Sequence, residues 1–134
     1  MVQAVPEAGR GEDLVVLTVP ADGAYLSVLR TATAGLAARL HFTLDEIEDL
    51  RIAVDEACAM LLSDAPRSTD LTCRFEVSAD ALSVAVRVPD IGAKLPGADT
   101  FAWTVLSALA GDVRADVSGG SATIWLTKRR GGTP

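Results

Sequence analysis

The chain has 134 residues, 49% of them hydrophobic, with a formal net charge of −6 and a mean hydropathy of +0.30. That apolar content excludes a disordered protein, no apolar run approaches the roughly 18 residues of a membrane span, and the length suits one domain with a core of its own. The acidic balance argues against direct DNA or RNA binding, because the only basic cluster is Lys128, Arg129 and Arg130; a basic or mixed-charge protein partner fits better.

Residues 1 to 12 contain Pro6, Gly9 and Gly11 with little apolar content and read as a tail. No basic stretch followed by an apolar one stands there, which points to a cytoplasmic address. From Leu14 to Val19 the residues are β-prone and are ended by Pro20, the pattern of a first strand. Asp22 and Gly23 then open a helix to about Leu40, with Leu26, Leu29, Thr33, Leu36 and Leu40 on one stripe and Arg30 on its flank. On spacing alone Arg30 is a solvated helix arginine.

Thr43 to Ser63 is the central helix. Thr43 and Glu46 form a capping box, in which the Thr43 hydroxyl accepts from the Glu46 amide and Glu46 reaches back, with Phe42 stapled onto Ile47. Ile47, Leu50, Val54, Ala57, Cys58 and Leu61 make a core-facing stripe. Ile52, Glu56 and Met60 stand on nearly the opposite side, a second face that is apolar except for one carboxylate. A helix apolar on two sides is covered on both, so Glu56 belongs either to a ligand or partner surface or to a structural hydrogen-bond network.

Pro66 ends this region. Leu71, Cys73, Phe75 and Val77, then Leu82, Val84, Val86 and Val88, alternate with polar residues across Ala79-Asp80 and read as a hairpin with one buried face. Cys58 and Cys73 are thus expected as reduced, buried residues, and with one histidine in the chain no transition-metal pattern appears. Pro89 to Ala98 is a loop. A helix over Thr100 to Ala110 places Phe101, Val105 and Leu109 at i, i+4 and i+8 and stops at Gly111. Val113 to Val117 and Ala122 to Lys128 close the chain as a hairpin around Ser118-Gly119-Gly120-Ser121. The domain therefore runs from 13 to 128, with 129–134 as a C-terminal tail. The order predicts an α+β two-layer sandwich, helices on one face of a mixed, mostly antiparallel sheet.

That order, together with particular motifs, resembles the serine-kinase anti-sigma factors of the RsbW and SpoIIAB type, in the histidine-kinase-like ATPase superfamily with its Bergerat-type fold. The likeness runs from about Leu14 to Lys128. Ala53-Val54-Asp55-Glu56-Ala57-Cys58-Ala59-Met60 lines up with a central-helix motif close to AVSEAxxNAxxH. Asp90-Ile91-Gly92-Ala93-Lys94 stands for Asp-x-Gly-x-Gly, and Thr123-Ile124-Trp125-Leu126-Thr127-Lys128 for the closing strand. By position, the resemblance implies that Glu56 is the general base, that Asp90 accepts from the adenine amino group, and that Gly92 and Thr123 lie beside the base. It also implies that Arg30 contacts both protein partners, and that the protein pairs as a homodimer.

The departures fall on the phosphate side. Met60 replaces the asparagine that holds Mg²⁺, Lys94 replaces the second glycine of the first motif, and Thr100-Phe101-Ala102 replaces a phosphate-cradling Gly-x-Gly. This pattern is most similar to the actinobacterial branch. Three readings follow from the resemblance. One is an anti-sigma factor without kinase chemistry, which needs no cofactor, sequesters an alternative sigma factor and is released by an anti-anti-sigma protein of the STAS type. The others are an ATP- and Mg²⁺-dependent serine kinase acting on that protein, and a nucleotide-responsive regulator.

Overall fold

The strands and helices follow one another in the expected order. The computed structural model describes residues 13–62, 69–89 and 100–131. They form β1 (Asp13–Pro20), a 3-10 turn (Gly23–Tyr25), α1 (Leu26–Arg39), α2 (Leu44–Leu62), β2 (Asp70–Val77), β3 (Ala81–Pro89), α3 (Phe101–Ala110), β4 (Asp112–Ser118) and β5 (Ser121–Arg129). The sheet order is β1-β2-β3-β5-β4, and every neighbouring pair is antiparallel.

Alternation along the strands divides the sheet into two faces. Leu71, Cys73 and Phe75 on β2, Leu82, Val84, Val86 and Val88 on β3, and Ala122, Ile124 and Leu126 on β5 are all buried on the inner face. They share one core with Leu29 and Ala37 of α1, with Leu50, Ala53, Val54, Ala57, Cys58 and Leu61 of α2, and with Leu106 and Ala110 of α3. α2 packs on β3 and β5 and is flanked by α1 and α3. The outer face carries Thr72, Arg74, Ala85, Arg87, Thr123 and Trp125 and has no helix over it among the described residues.

The joint between α1 and α2 sets the helix layer. Leu40 caps α1, His41 takes the left-handed conformation at φ 62°, and the Phe42 amide donates back to Ala37 O at 3.2 Å. The capping box then starts α2: the Glu46 amide donates to Thr43 Oγ1 at 3.1 Å, and the Thr43 amide donates to Glu46 Oε1 at 2.8 Å. At the far end of the sheet, Gly119 and Gly120 turn β4 into β5 with φ of 59° and 79°, the paired positive values that a two-residue hairpin needs.

Two expectations need correcting. α3 buries Leu106 and Ala110, while Phe101 is 83% exposed, so its core face is rotated by one residue from the expected stripe. Nor do Arg129 and Arg130 begin a loose tail. β5 continues to Arg129, Lys128 Nζ donates to Leu109 O in the last turn of α3 at 2.8 Å, and Arg130 Nη1 donates to Leu40 O at the end of α1 at 2.9 Å. The Gly131 amide donates to the Glu46 carboxylate as well. Cations at helix C-termini satisfy carbonyls that lack a partner within the helix, so these charges are absorbed in joining the sheet to the helices.

Cys58 and Cys73 are free and fully buried, as expected. Burial pushes the Cys58 thiol up to about 12 and raises Cys73 further, so neither is a thiolate at neutral pH.

Candidate functional site

α2 presents the candidate chemistry. Leu50, Val54, Ala57, Cys58 and Leu61 take the core, which turns Ile52 and Glu56 away from it, while Met60 packs against its edge. Ile52 is 44% exposed, and Glu56 and Met60 are half-buried. Glu56 makes no hydrogen bond or ion pair among the described residues. Of the two alternatives for this carboxylate, the surface position is therefore the one the geometry favours, because a structural network would hold it by a partner. The second apolar face is not covered by described residues at Ile52, contrary to expectation.

α3 packs beside α2. Its first turn is closed by its own side chain: the Trp103 amide donates to Thr100 Oγ1 at 3.2 Å. A helix N-terminus binds an anion through its free amides, and here one of them is already satisfied.

Arg30 reaches from α1 to α2. Its Nη1 donates to Asp55 Oδ1 at 3.0 Å and to Oδ2 at 2.9 Å, and the two side chains are 35% and 37% exposed. It is thus a half-exposed arginine held by an ion pair, rather than a freely solvated one. Asp55 had no role in the sequence reading. The signal lay in the helical hairpin, since Arg30 and Asp55 lie roughly equidistant from the joint at 40–43 and antiparallel packing brings such positions together.

Thr123 lies elsewhere. Ala122 and Ile124 take the inner face of β5, so Thr123 points to the outer one, away from α2 and Glu56. There it lines a hollow of about 250 Å³ with Val16, Thr72, Arg74, Arg87 and Trp125. Val16, Arg74, Ala85, Trp125 and Arg114 stand in register across the five strands, and the Arg114 guanidinium sits 5.2 Å over the Trp125 ring. The structure therefore does not bring Thr123 together with Glu56. Asp90 and Gly92 lie outside the described residues.

No protein-family model matches the chain. It is 39% identical over 77 residues to the serine-protein kinase RsbW of Bacillus subtilis (strain 168), a match that covers 55% of this chain and 48% of that protein. The chain spans about half the length of the Bacillus relatives it matches. With the anti-sigma-F factor RsbW of Mycobacterium tuberculosis it is 37% identical over 135 residues, covering 90% of this chain and 76% of that one. The chain belongs to the RsbW family. A crystal structure of the RsbU and RsbW domains of a Mycobacterium tuberculosis protein agrees in fold, with a TM-score of 0.68 at 16% identity over 87% of this chain and 32% of that one. What the two share is a two-layer α+β fold, here with helices on one face of an antiparallel five-stranded sheet.

Within this RsbW-family domain the position that the resemblance gives to the Mg²⁺ ligand holds Met60. A thioether at Met60 does not serve a hard cation that selects oxygen. The α3 start carries a side-chain cap, and no group of three or more His, Cys, Asp or Glu among the described residues is placed to hold a metal ion. No helix among the described residues is long and apolar enough to cross a membrane.

Proposed function

We propose that this chain is an anti-sigma factor that works by occupancy: it sequesters an alternative sigma factor of the sigma-F kind and yields it to an anti-anti-sigma protein of the STAS type. The observation that carries this reading is the match to the mycobacterial anti-sigma-F factor along 90% of the chain. Arg30, half-exposed on α1, is the residue proposed to meet a carboxylate of either partner. Kinase chemistry is proposed to be absent, on the strength of Met60 and of the capped α3 start. Thr123 has no adenine contact in this proposal, because its side chain faces the other side of the sheet.

The proposal includes a cytoplasmic homodimer. Leu14 and Val16 on the edge strand β1 are 48% and 50% exposed, and they lie on the outer sheet face with Trp125. That face also carries both charge signs, Arg74 and Arg87 with Glu76 and Asp116, as a self-complementary contact requires. A monomer mass in light scattering at micromolar concentration removes this part.

Isothermal titration with the Mycobacterium tuberculosis sigma-F factor, with and without ATP and Mg²⁺, tests the whole. Equal binding in both conditions and no phosphate transfer to an anti-anti-sigma protein are expected. A second reading, the serine kinase, is favoured by one observation: Glu56 is half-exposed and unpaired among the described residues, as a general base must be. Phosphate transfer that disappears in Glu56→Ala makes that reading the correct one.

A further inference from the structure

We propose that Asp55 is a positioning residue for partner binding: it grips Arg30 by Nη1 and leaves the Nε–Nη2 edge of the guanidinium for a carboxylate of an acidic partner surface. This rests on the anti-sigma reading above. A guanidinium has five N–H donors and two edges that match a carboxylate. Both Asp55 oxygens bond to the same nitrogen, Nη1, at 3.0 and 2.9 Å, so the opposite edge, Nε with Nη2, makes no bond among the described residues. With the side chain 35% exposed, that edge is open to a second carboxylate without displacing the first.

The advantage is conformational. An arginine has much rotamer freedom, and ordering it during association weakens binding; an arginine already fixed by the neighbouring helix loses less. Water screens a pair this exposed, so Asp55 subtracts little from the attraction of Arg30 for a second anion.

Two measurements test it. In the free protein, guanidinium ¹⁵N NMR of wild type should show slowed rotation of the Arg30 Nη groups, lost in Asp55→Ala. In titrations with the mycobacterial sigma-F factor, Asp55→Ala should weaken binding about two- to tenfold, the loss from one side chain no longer held in advance. The effect should vanish in an Arg30→Ala background and be partly recovered by Asp55→Glu, whereas Arg30→Lys, which has no second edge, should not retain binding. Fast rotation in wild type overturns the proposal. So does tighter binding by Asp55→Ala, which would make Asp55 a competitor, or an equal loss in the Arg30→Ala background, which would make its role structural. Wild type that shows slowed rotation but does not bind any of several sigma-F factors overturns the anti-sigma reading and the partner role with it, while the clamp itself stands.

Discussion

Glu46→Ala should destabilise the domain by roughly 1–2 kcal/mol, and the loss should depend on pH in a defined direction. In the folded protein the Glu46 carboxylate accepts from the Thr43 amide at 2.8 Å and from the Gly131 amide, and it stands in the first turn of α2, where the helix dipole favours a negative charge. Each net hydrogen bond contributes about 0.5–1.5 kcal/mol and the dipole about 0.3–1; the low ends apply because both amides regain water when alanine replaces the acid. For a chain of this length the sum corresponds to a fall in Tm of roughly 4–10 °C. The Thr43 amide holds the Glu46 carboxyl below its ordinary range, aided by the Gly131 amide, the Thr43 hydroxyl and the Lys128 charge against the opposing effect of burial. Because the folded value is the lower one, the stabilisation is fully present above the ordinary glutamate pKa and is lost as pH falls through the folded value. Thermal melts followed by circular dichroism should therefore show the gap between wild type and Glu46→Ala narrowing in acid. A gap that is absent at neutral pH, or that widens as the pH falls, refutes the reasoning.

His41→Gly should raise stability by up to about 1 kcal/mol in urea melts, because His41 holds φ 62° at the α1–α2 joint and glycine adopts this conformation without the clash of a Cβ. Arg30→Ala should weaken sigma-factor binding by about 1–3 kcal/mol in titration calorimetry with little change in Tm, since the half-exposed pair it loses contributes about 0–1 kcal/mol to folding.

Local pattern was legible in the sequence where a short segment sets its own structure. The Thr43/Glu46 box, the alternation of β2 and β3 and the double glycine at 119–120 are local, and each appears where it was expected. What was not legible depends on contacts between distant segments. Thr123 was placed beside the adenine by alignment, yet strand alternation gives the inward position to Ala122, and a shift of one residue moves a side chain across the sheet. Arg129 and Arg130 read as the start of a tail because the carbonyl that Arg130 reaches, Leu40 O, is 90 residues away, just as the Lys128 contact with Leu109 O spans 19. The Asp55 clamp on Arg30 needed the packing of α1 on α2, and the ladder through Trp125 needed the order β3-β5-β4.

The proposed absence of kinase chemistry can be tested at the positions held responsible for it. Phosphoryl transfer is chiefly positioning and neutralisation of charge, so a base contributes little once the metal and the phosphate cradle are gone. On that proposal Glu56 holds the position of the base, while the Met60 side chain offers no oxygen and Thr100 caps the α3 start at the Trp103 amide. An anion arriving there finds the Trp103 amide already engaged and must fit against Thr100 and Ala102, whose Cβ atoms a Gly-x-Gly turn lacks. Met60→Asn alone supplies one ligand but leaves the closed helix start, so it should restore neither ATP binding nor transfer. The triple variant Met60→Asn, Thr100→Gly, Ala102→Gly frees the amide and opens the backbone. Glycine costs a few tenths of a kcal/mol as a cap relative to threonine and about 1 kcal/mol in place of Ala102 in the first turn of α3; circular dichroism checks that this variant folds, and it should bind Mg²⁺-ATP more tightly than wild type in titration calorimetry. If the triple variant folds and gains no affinity, the α3 start is not the obstacle. Transfer by the unmodified chain that disappears in Glu56→Ala would show that neither substitution had removed the chemistry.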